Sequence, residues 1–208
     1  MATPSRRRLV SCAVAAMTAS ALTACGDETA ELQGYVQAPL LDVADVSFPG
    51  ADGEVPMVAE DGELLIIYFG FSSCPDVCPT TLADVGRAID ELDDDDAARV
   101  SVGMVTVDPD RDSLEVLTTY LGHYVDDPIA LRESDPGALL RDAERFGITY
   151  RVEPHEPTDV DYAVEHTSQV FVIDDTGAVR VQWPFEFARS AMASDLDLLL
   201  DEIPTADG

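Results

Sequence analysis

Apolar positions in this chain follow two patterns, unbroken runs and runs spaced by three and four. Residues 64–69, Leu-Leu-Ile-Ile-Tyr-Phe, form an unbroken run, the pattern of a strand buried on both faces. In residues 79–92, Leu82, Val85, Ile89 and Leu92 recur at helical spacing, and Pro79 suits a first turn. The helix should close in residues 93–96, four aspartates that read as a solvated acidic loop. Residues 100–107 predict a second strand, 113–124 a second helix, and 135–146 a third, opened by Asp135-Pro136 as cap and first position and ended by Gly147. After an extended 150–152 and a polar loop containing Pro154 and Pro157, residues 167–173 predict another strand. Its end, 170–173, forms a hairpin with 179–183 across a turn at 174–177, and a last helix occupies 193–203 with Leu196, Leu199, Leu200 and Ile203 inward. Alternating strands and helices argue for one α/β domain from about residue 40 to 208, with a mixed central sheet flanked by helices and an added N-terminal hairpin region.

The first twenty-five residues break this pattern. They contain no acid, carry Arg6, Arg7 and Arg8, and continue in an apolar run over residues 9–22. Such a run is too short for the ~20 residues that a membrane-spanning helix needs, and it ends in small residues, as an export signal does. Leu22-Thr23-Ala24-Cys25 resembles the bacterial lipobox, which predicts cleavage of 1–24 and lipidation of Cys25. The small polar stretch 26–39 then reads as a flexible tether that holds the domain on the extracytoplasmic face of the cell membrane. The residues around the three arginines also permit the twin-arginine export route.

Composition sharpens the contrast between leader and domain. The 208 residues carry 41 acids against 12 basic residues, every one of them Arg, for a net charge of −29. Loss of residues 1–24 removes three arginines and no acid, so the mature chain stands at −32. A nucleic-acid partner is excluded by that field, and 46% hydrophobic residues are enough to build a core. The charge itself suits a surface kept soluble in salt. Of four cysteines, Cys12 leaves with the leader and Cys25 takes lipid, so Cys74 and Cys78 remain as thiols in a compartment that permits disulfides.

These two thiols sit in Cys74-Pro75-Asp76-Val77-Cys78-Pro79, between the buried strand and the first helix. A helix N-terminus favours thiolate, and a spacing of four brings both sulfurs within reach of one ion if the turn is helical. Soft thiolates select Cu(I) or zinc; a closed zinc site wants four protein ligands, so copper with fewer ligands fits better. A plain stabilising disulfide is the bland alternative, and so short a loop constrains few unfolded states. Among the histidines, His123 and His155 read as surface residues, whereas His166 arrives just ahead of a predicted strand, at the end of a loop able to fold over the thiols.

Three ordered blocks give these residues a family likeness. Residues 69–82, Phe-Gly-Phe-Ser-Ser-Cys-Pro-Asp-Val-Cys-Pro-Thr-Thr-Leu, resemble the signature of the Sco/SenC family of copper-delivery proteins for cytochrome c oxidase. Thr106-Val107-Asp108-Pro109-Asp110-Arg111-Asp112 resembles the second block of that family, and residues 164–168 with 171–174 resemble its third. Glu165 stands where Asp is frequent and Ser72 where Thr is common. The resemblance implies a thioredoxin-like fold, Cys74, Cys78 and His166 as ligands to one copper ion, Cu(I) or also Cu(II), and Asp108 close behind them. It further implies delivery of copper to the dinuclear centre of cytochrome c oxidase subunit II, with another extracytoplasmic copper chaperone or a thioredoxin-like reductase as further partner. A thiol-disulfide oxidoreductase that keeps the oxidase or chaperone cysteines reduced is the rival reading, although three intervening residues depart from Cys-x-x-Cys and such an enzyme has no need of His166. A peroxidase is a third, since a related fold carries that activity.

Overall fold

A computed structural model of the chain describes residues 31–203 except 157 and 160; the leader and Cys25 lie outside the described residues. The elements run β1 (Leu41–Asp42), β2 (Ser47–Gly50), β3 (Gly53–Pro56), β4 (Leu64–Gly70), α1 (Val77–Ile89), α2 (Asp94–Ala97), β5 (Val100–Thr106), α3 (Leu114–Leu121), β6 (Ile129–Leu131), α4 (Pro136–Arg145), β7 (Tyr150–Val152), β8 (Val164–His166), β9 (Gln169–Ile173), β10 (Ala178–Pro184) and α5 (Arg189–Glu202). Six strands make a mixed sheet in the order β1-β10-β9-β4-β5-β6, with β4, β5 and β6 parallel and β9 and β10 antiparallel to their neighbours. All seven residues of the central strand β4 are buried, as its unbroken apolar run requires. Successive side chains alternate between the two faces. Phe69 meets Phe48, Phe146 and Phe171, with ring centroids 5.1 to 6.2 Å apart, while Tyr68 turns toward the residues that follow the strand.

The β2–β3 pair is the expected N-terminal hairpin. Ser113 and Asp135 cap α3 and α4 by accepting the backbone N–H of Val116 and Ala138, and Gly147 follows α4 with φ +72°, a conformation that glycine adopts without steric cost.

Four expectations change. The aspartate run is a short helix, α2: the Asp93 carboxylate accepts from Asp95 and Asp96 N–H, and acids in a first turn suit the positive end of the helix dipole. The last helix begins at Arg189, four residues before 193, because Ala188 O receives the N–H groups of Ala191 and Met192 without any side-chain cap to mark the start. Short β6 and β8 form where the apolar pattern is too brief to announce a strand.

The described part of the expected tether lies against the domain. Gln33 and Gly34 N–H donate to the buried Asp195 carboxylate at 2.6 and 2.9 Å, Trp183 Nε1–H donates to the same group at 2.9 Å, and Tyr35 pairs with Gln182 beside β10. A carboxylate buried in α5 needs such donors, which draws residues 33–35 onto the sheet edge. Among the described residues no helix is long and apolar enough to cross a membrane.

Candidate metal centre

The thiols and the imidazole meet at the C-terminal end of β4. One ligand atom each from Cys74, Cys78 and His166 lies within 4.8 Å of the other two. Cys74 is not on a helical turn with Cys78, as the spacing of four would permit. It occupies the loop before α1, and its Sγ accepts the Cys78 backbone N–H at 3.3 Å. That contact replaces the side-chain cap that Asp76 does not supply, and places the sulfur at the electropositive end of the helix.

The two thiols are electrostatically unequal. Cys74 is held well below the ordinary thiol range, first by a hydrogen bond from the Cys78 thiol, then, against burial, by the His166 imidazole and the Cys78 and Asp76 backbone. Cys78 is pushed above that range because its proton is engaged by the Cys74 sulfur, and because it is buried. Both thiols are free. The pair thus offers a half-exposed thiolate above a buried thiol.

His166 is delivered by the β7–β8 ribbon, where it pairs with Tyr150. Its Nε2 lies 3.5 Å from Cys78 Sγ, while Nδ1 is 3.0 Å from the Thr167 carbonyl oxygen. A carbonyl only accepts, so Nδ1 carries a proton and Nε2 is the nitrogen turned to the sulfurs, the one a metal ion would take. Tyr68 and Phe71 rings hold the imidazole edge to face at 6.1 and 5.8 Å. Tyr68 adds a hydrogen bond: its hydroxyl lies 3.5 Å from Cys78 Sγ and 3.1 Å from Ser168 Oγ, and burial raises its pKa so that it stays a donor. Gly70 makes room for this packing, since a Cβ there would stand 2.6 Å from the Tyr68 ring and 3.1 Å from Cys78 Sγ.

The remaining predicted residues fall around this cluster. Asp108 is buried, but its carboxylate meets Arg111 and accepts the Tyr162 hydroxyl at 2.7 Å, so it holds the loop four residues ahead of His166 instead of touching a ligand. Tyr162 is flanked by the Arg111 guanidinium at 3.8 Å and the His155 ring at 3.7 Å. Two groups so close to one ring centre must occupy opposite faces. His155 is therefore satisfied within a clamp, and also pairs with Asp110 at 3.3 Å, while His123 is exposed, the exposed or satisfied roles expected of the two. Neither joins the thiols. Glu165 points outward to Arg151 at 2.9 Å, so its departure from the family pattern does not alter the donors.

Sequence reasoning passed over Tyr68 and Asp112. Asp112 is buried, and its carboxylate collects the Ser72 N–H at 3.0 Å, the Ser72 hydroxyl and the Thr106 hydroxyl at 2.7 Å, tying the loop before Cys74 to the end of β5. Ser72 thus supplies the hydroxyl that Thr would. Asp112 closes the second sequence block, but nothing in that block signals a partner 40 positions away.

The donor set suits a soft ion. Metal–sulfur bonds of about 2.3 Å and metal–nitrogen bonds of about 2.0 Å put three ligands around one ion roughly 4 Å apart, inside the observed limit. Among the described residues no further Cys, His or carboxylate joins to complete a four-ligand zinc cage.

Known proteins share this fold. The solution structure of apo Sco1 from Thermus thermophilus is similar over 83% of this chain and 98% of its own, with 29% identity and a TM-score of 0.70. The copper-bound structure of ScoI from Arabidopsis thaliana is similar over 76% of this chain and 94% of its own, with 26% identity and a TM-score of 0.63. A SCO2-like protein of Rickettsia prowazekii is 33% identical over 117 residues, 56% of each chain, so the match spans little more than half of that relative. Both neighbouring structures carry the thioredoxin-like fold expected from the sequence blocks. With the SCO1/SenC family matched across residues 50–201, from the N-terminal hairpin through α5, the chain belongs to that family.

Proposed function

We propose that this protein is a copper metallochaperone: it takes up one copper ion through Cys74, Cys78 and His166 and passes it on by ligand exchange. The observation that carries this is the convergence of two sulfurs and an imidazole nitrogen within 4.8 Å, drawn from segments 88 residues apart. Cu(I) suits the two thiolates, and the imidazole extends the set toward Cu(II). The copper bound by the Arabidopsis neighbour supports the choice of ion. In transfer, an incoming ligand meets the half-exposed Cys74 first and the buried Cys78 last, so the ion leaves in steps and is never bare. The proposed client is the dinuclear copper centre of cytochrome c oxidase subunit II, on which the family resemblance bears. The lipobox supports an anchor at Cys25 and a place on the extracytoplasmic membrane face.

Anaerobic copper titration tests the site. The expected result is one ion per chain, with His166→Ala retaining the fold but binding more weakly and with an altered spectrum. Unchanged stoichiometry, affinity and spectrum in His166→Ala would refute the three-ligand site. One observation favours a second reading: a depressed thiol beside a buried partner is also how a dithiol reductase is built. Insulin reduction at a thioredoxin-like rate, with no loss in His166→Ala, would establish that alternative.

A further inference from the structure

Residues 33–35 enter the fold at a definite height on the sheet. Tyr35 bridges Gln182 in antiparallel sense, which sets Gly34 opposite Trp183, and the chain then descends to Leu41, which pairs with Val179. Across the sheet Trp183 stands beside Val170, and Val170 beside Tyr68, next to the C-terminal end of β4. Leu41 instead shares a level, through Val179 and Ile173, with Leu65 at the start of β4. The chain therefore joins the domain at the end that holds Cys74, Cys78 and His166. Three strand spacings of about 4.8 Å separate it from β4, about 14 Å in all.

Only seven residues lie between Cys25 and Gln33. However they are arranged, the eight steps from Cys25 to Gln33 span at most about 29 Å. Strand β4 alone is about 20 Å long at ~3.3 Å per residue, with turns beyond it, so an anchor at Cys25 would have to run fully extended along the flank to bring the opposite end to the bilayer. Charge does not choose between the two ends, since Glu63, Asp90, Asp94, Asp126 and Asp127 line a cleft at the far one while Asp76, Asp110, Glu165 and Glu186 are exposed near the other, so the point of entry carries the orientation. Beside the point of entry, Tyr35 and Phe185 are exposed aromatics of the kind that tolerate a headgroup layer.

We infer that the anchor holds the domain with its Cys74–Cys78–His166 end toward the lipid surface, so that its exchange partner presents its own metal-binding groups at or just above the membrane plane. The inference rests on the lipid anchor proposed above. Two measurements on the membrane-isolated chain separate the two ideas. Mass spectrometry reads the anchor: a diacylglyceryl Cys25 at the N-terminus is expected, and its absence overturns both anchor and orientation while leaving the copper titration untouched. Paramagnetic broadening reads the orientation: in phosphatidylcholine nanodiscs doped with a gadolinium-chelating lipid, amide signals of Gly70, of Asp108, Asp110 and Arg111, and of residues 166–168 should be lost, while those of Glu63 and residues 99–101 and 126–127 persist. Lipidated protein that shows the reverse pattern, or equal broadening at both ends, would overturn the orientation alone.

Discussion

At the scale of single residues, function turns on an inequality between two cysteines. Cys74 has a depressed pKa, so its thiolate persists as pH falls from about 8 to about 5, where an ordinary thiol near 8.5 is already protonated. Alkylation of the metal-free protein by iodoacetamide should accordingly label Cys74 first, at a rate almost flat across that window, and leave the buried Cys78 unlabelled until the protein unfolds. A rate at Cys74 that falls tenfold per pH unit would show its thiol to be ordinary. Tyr68 acts on the other sulfur. Tyr68→Phe keeps the ring and removes the hydroxyl near Cys78 and Ser168, so it should lower stability by only about 1 kcal/mol in urea melts yet shift the sulfur-to-copper charge-transfer band of the loaded protein. An unmoved band would mean that the hydroxyl does not influence the sulfur. Cys74 and Cys78 were legible because their message is local, a spacing at a strand-helix junction. Tyr68 was not, because inside an apolar run it reads as one more core residue.

At the scale of elements, the site is a junction held by buried carboxylates. Asp112 fastens the loop before Cys74 to the end of β5, and Asp108 fastens the loop before His166 through Tyr162. Asp112→Ala orphans the Ser72 N–H and two hydroxyls, so a loss of about 2 to 4 kcal/mol is expected in urea unfolding, with weaker copper binding in the fraction that remains folded. A loss below about 0.5 kcal/mol would show that water replaces the carboxylate. Helices with a Ser or Asp cap and regular spacing were readable to within a few residues. α5, which starts without a side-chain cap, was placed four residues late, whereas α1, equally without one, was placed within two because Pro79 marks its first turn; the four aspartates hid a helix because charge repulsion and low helix propensity both argue against one, and only the Asp93 cap and the helix dipole favour it.

At the scale of the whole molecule, the proposed delivery would bring an acidic domain to its acceptor through its own field. At a net charge of −29, association with an acidic client should quicken as salt screens the repulsion, and with a basic-patched client it should slow; stopped-flow rates independent of ionic strength would leave the charge without a role in docking. Asp195 is the matching test of integrity. It joins residues 33–34, Trp183 and α5, so Asp195→Ala should cost about 2 to 4 kcal/mol and expose the single tryptophan, read as a red shift of its emission. An unshifted emission with unchanged stability would show that the N-terminal segment docks without it. What the sequence determined by itself is whatever depends on near neighbours: the buried strand, the capped helices and the thiol pair. Tertiary structure alone decided that His166, 88 residues from Cys78, turns its Nε2 to the sulfurs, and that residues 33–35 enter beside them. Both follow from the pairing of β9 with β4 and of β10 with β9, and strand register is set by burial and hydrogen bonding across the sheet, between residues that no local window contains.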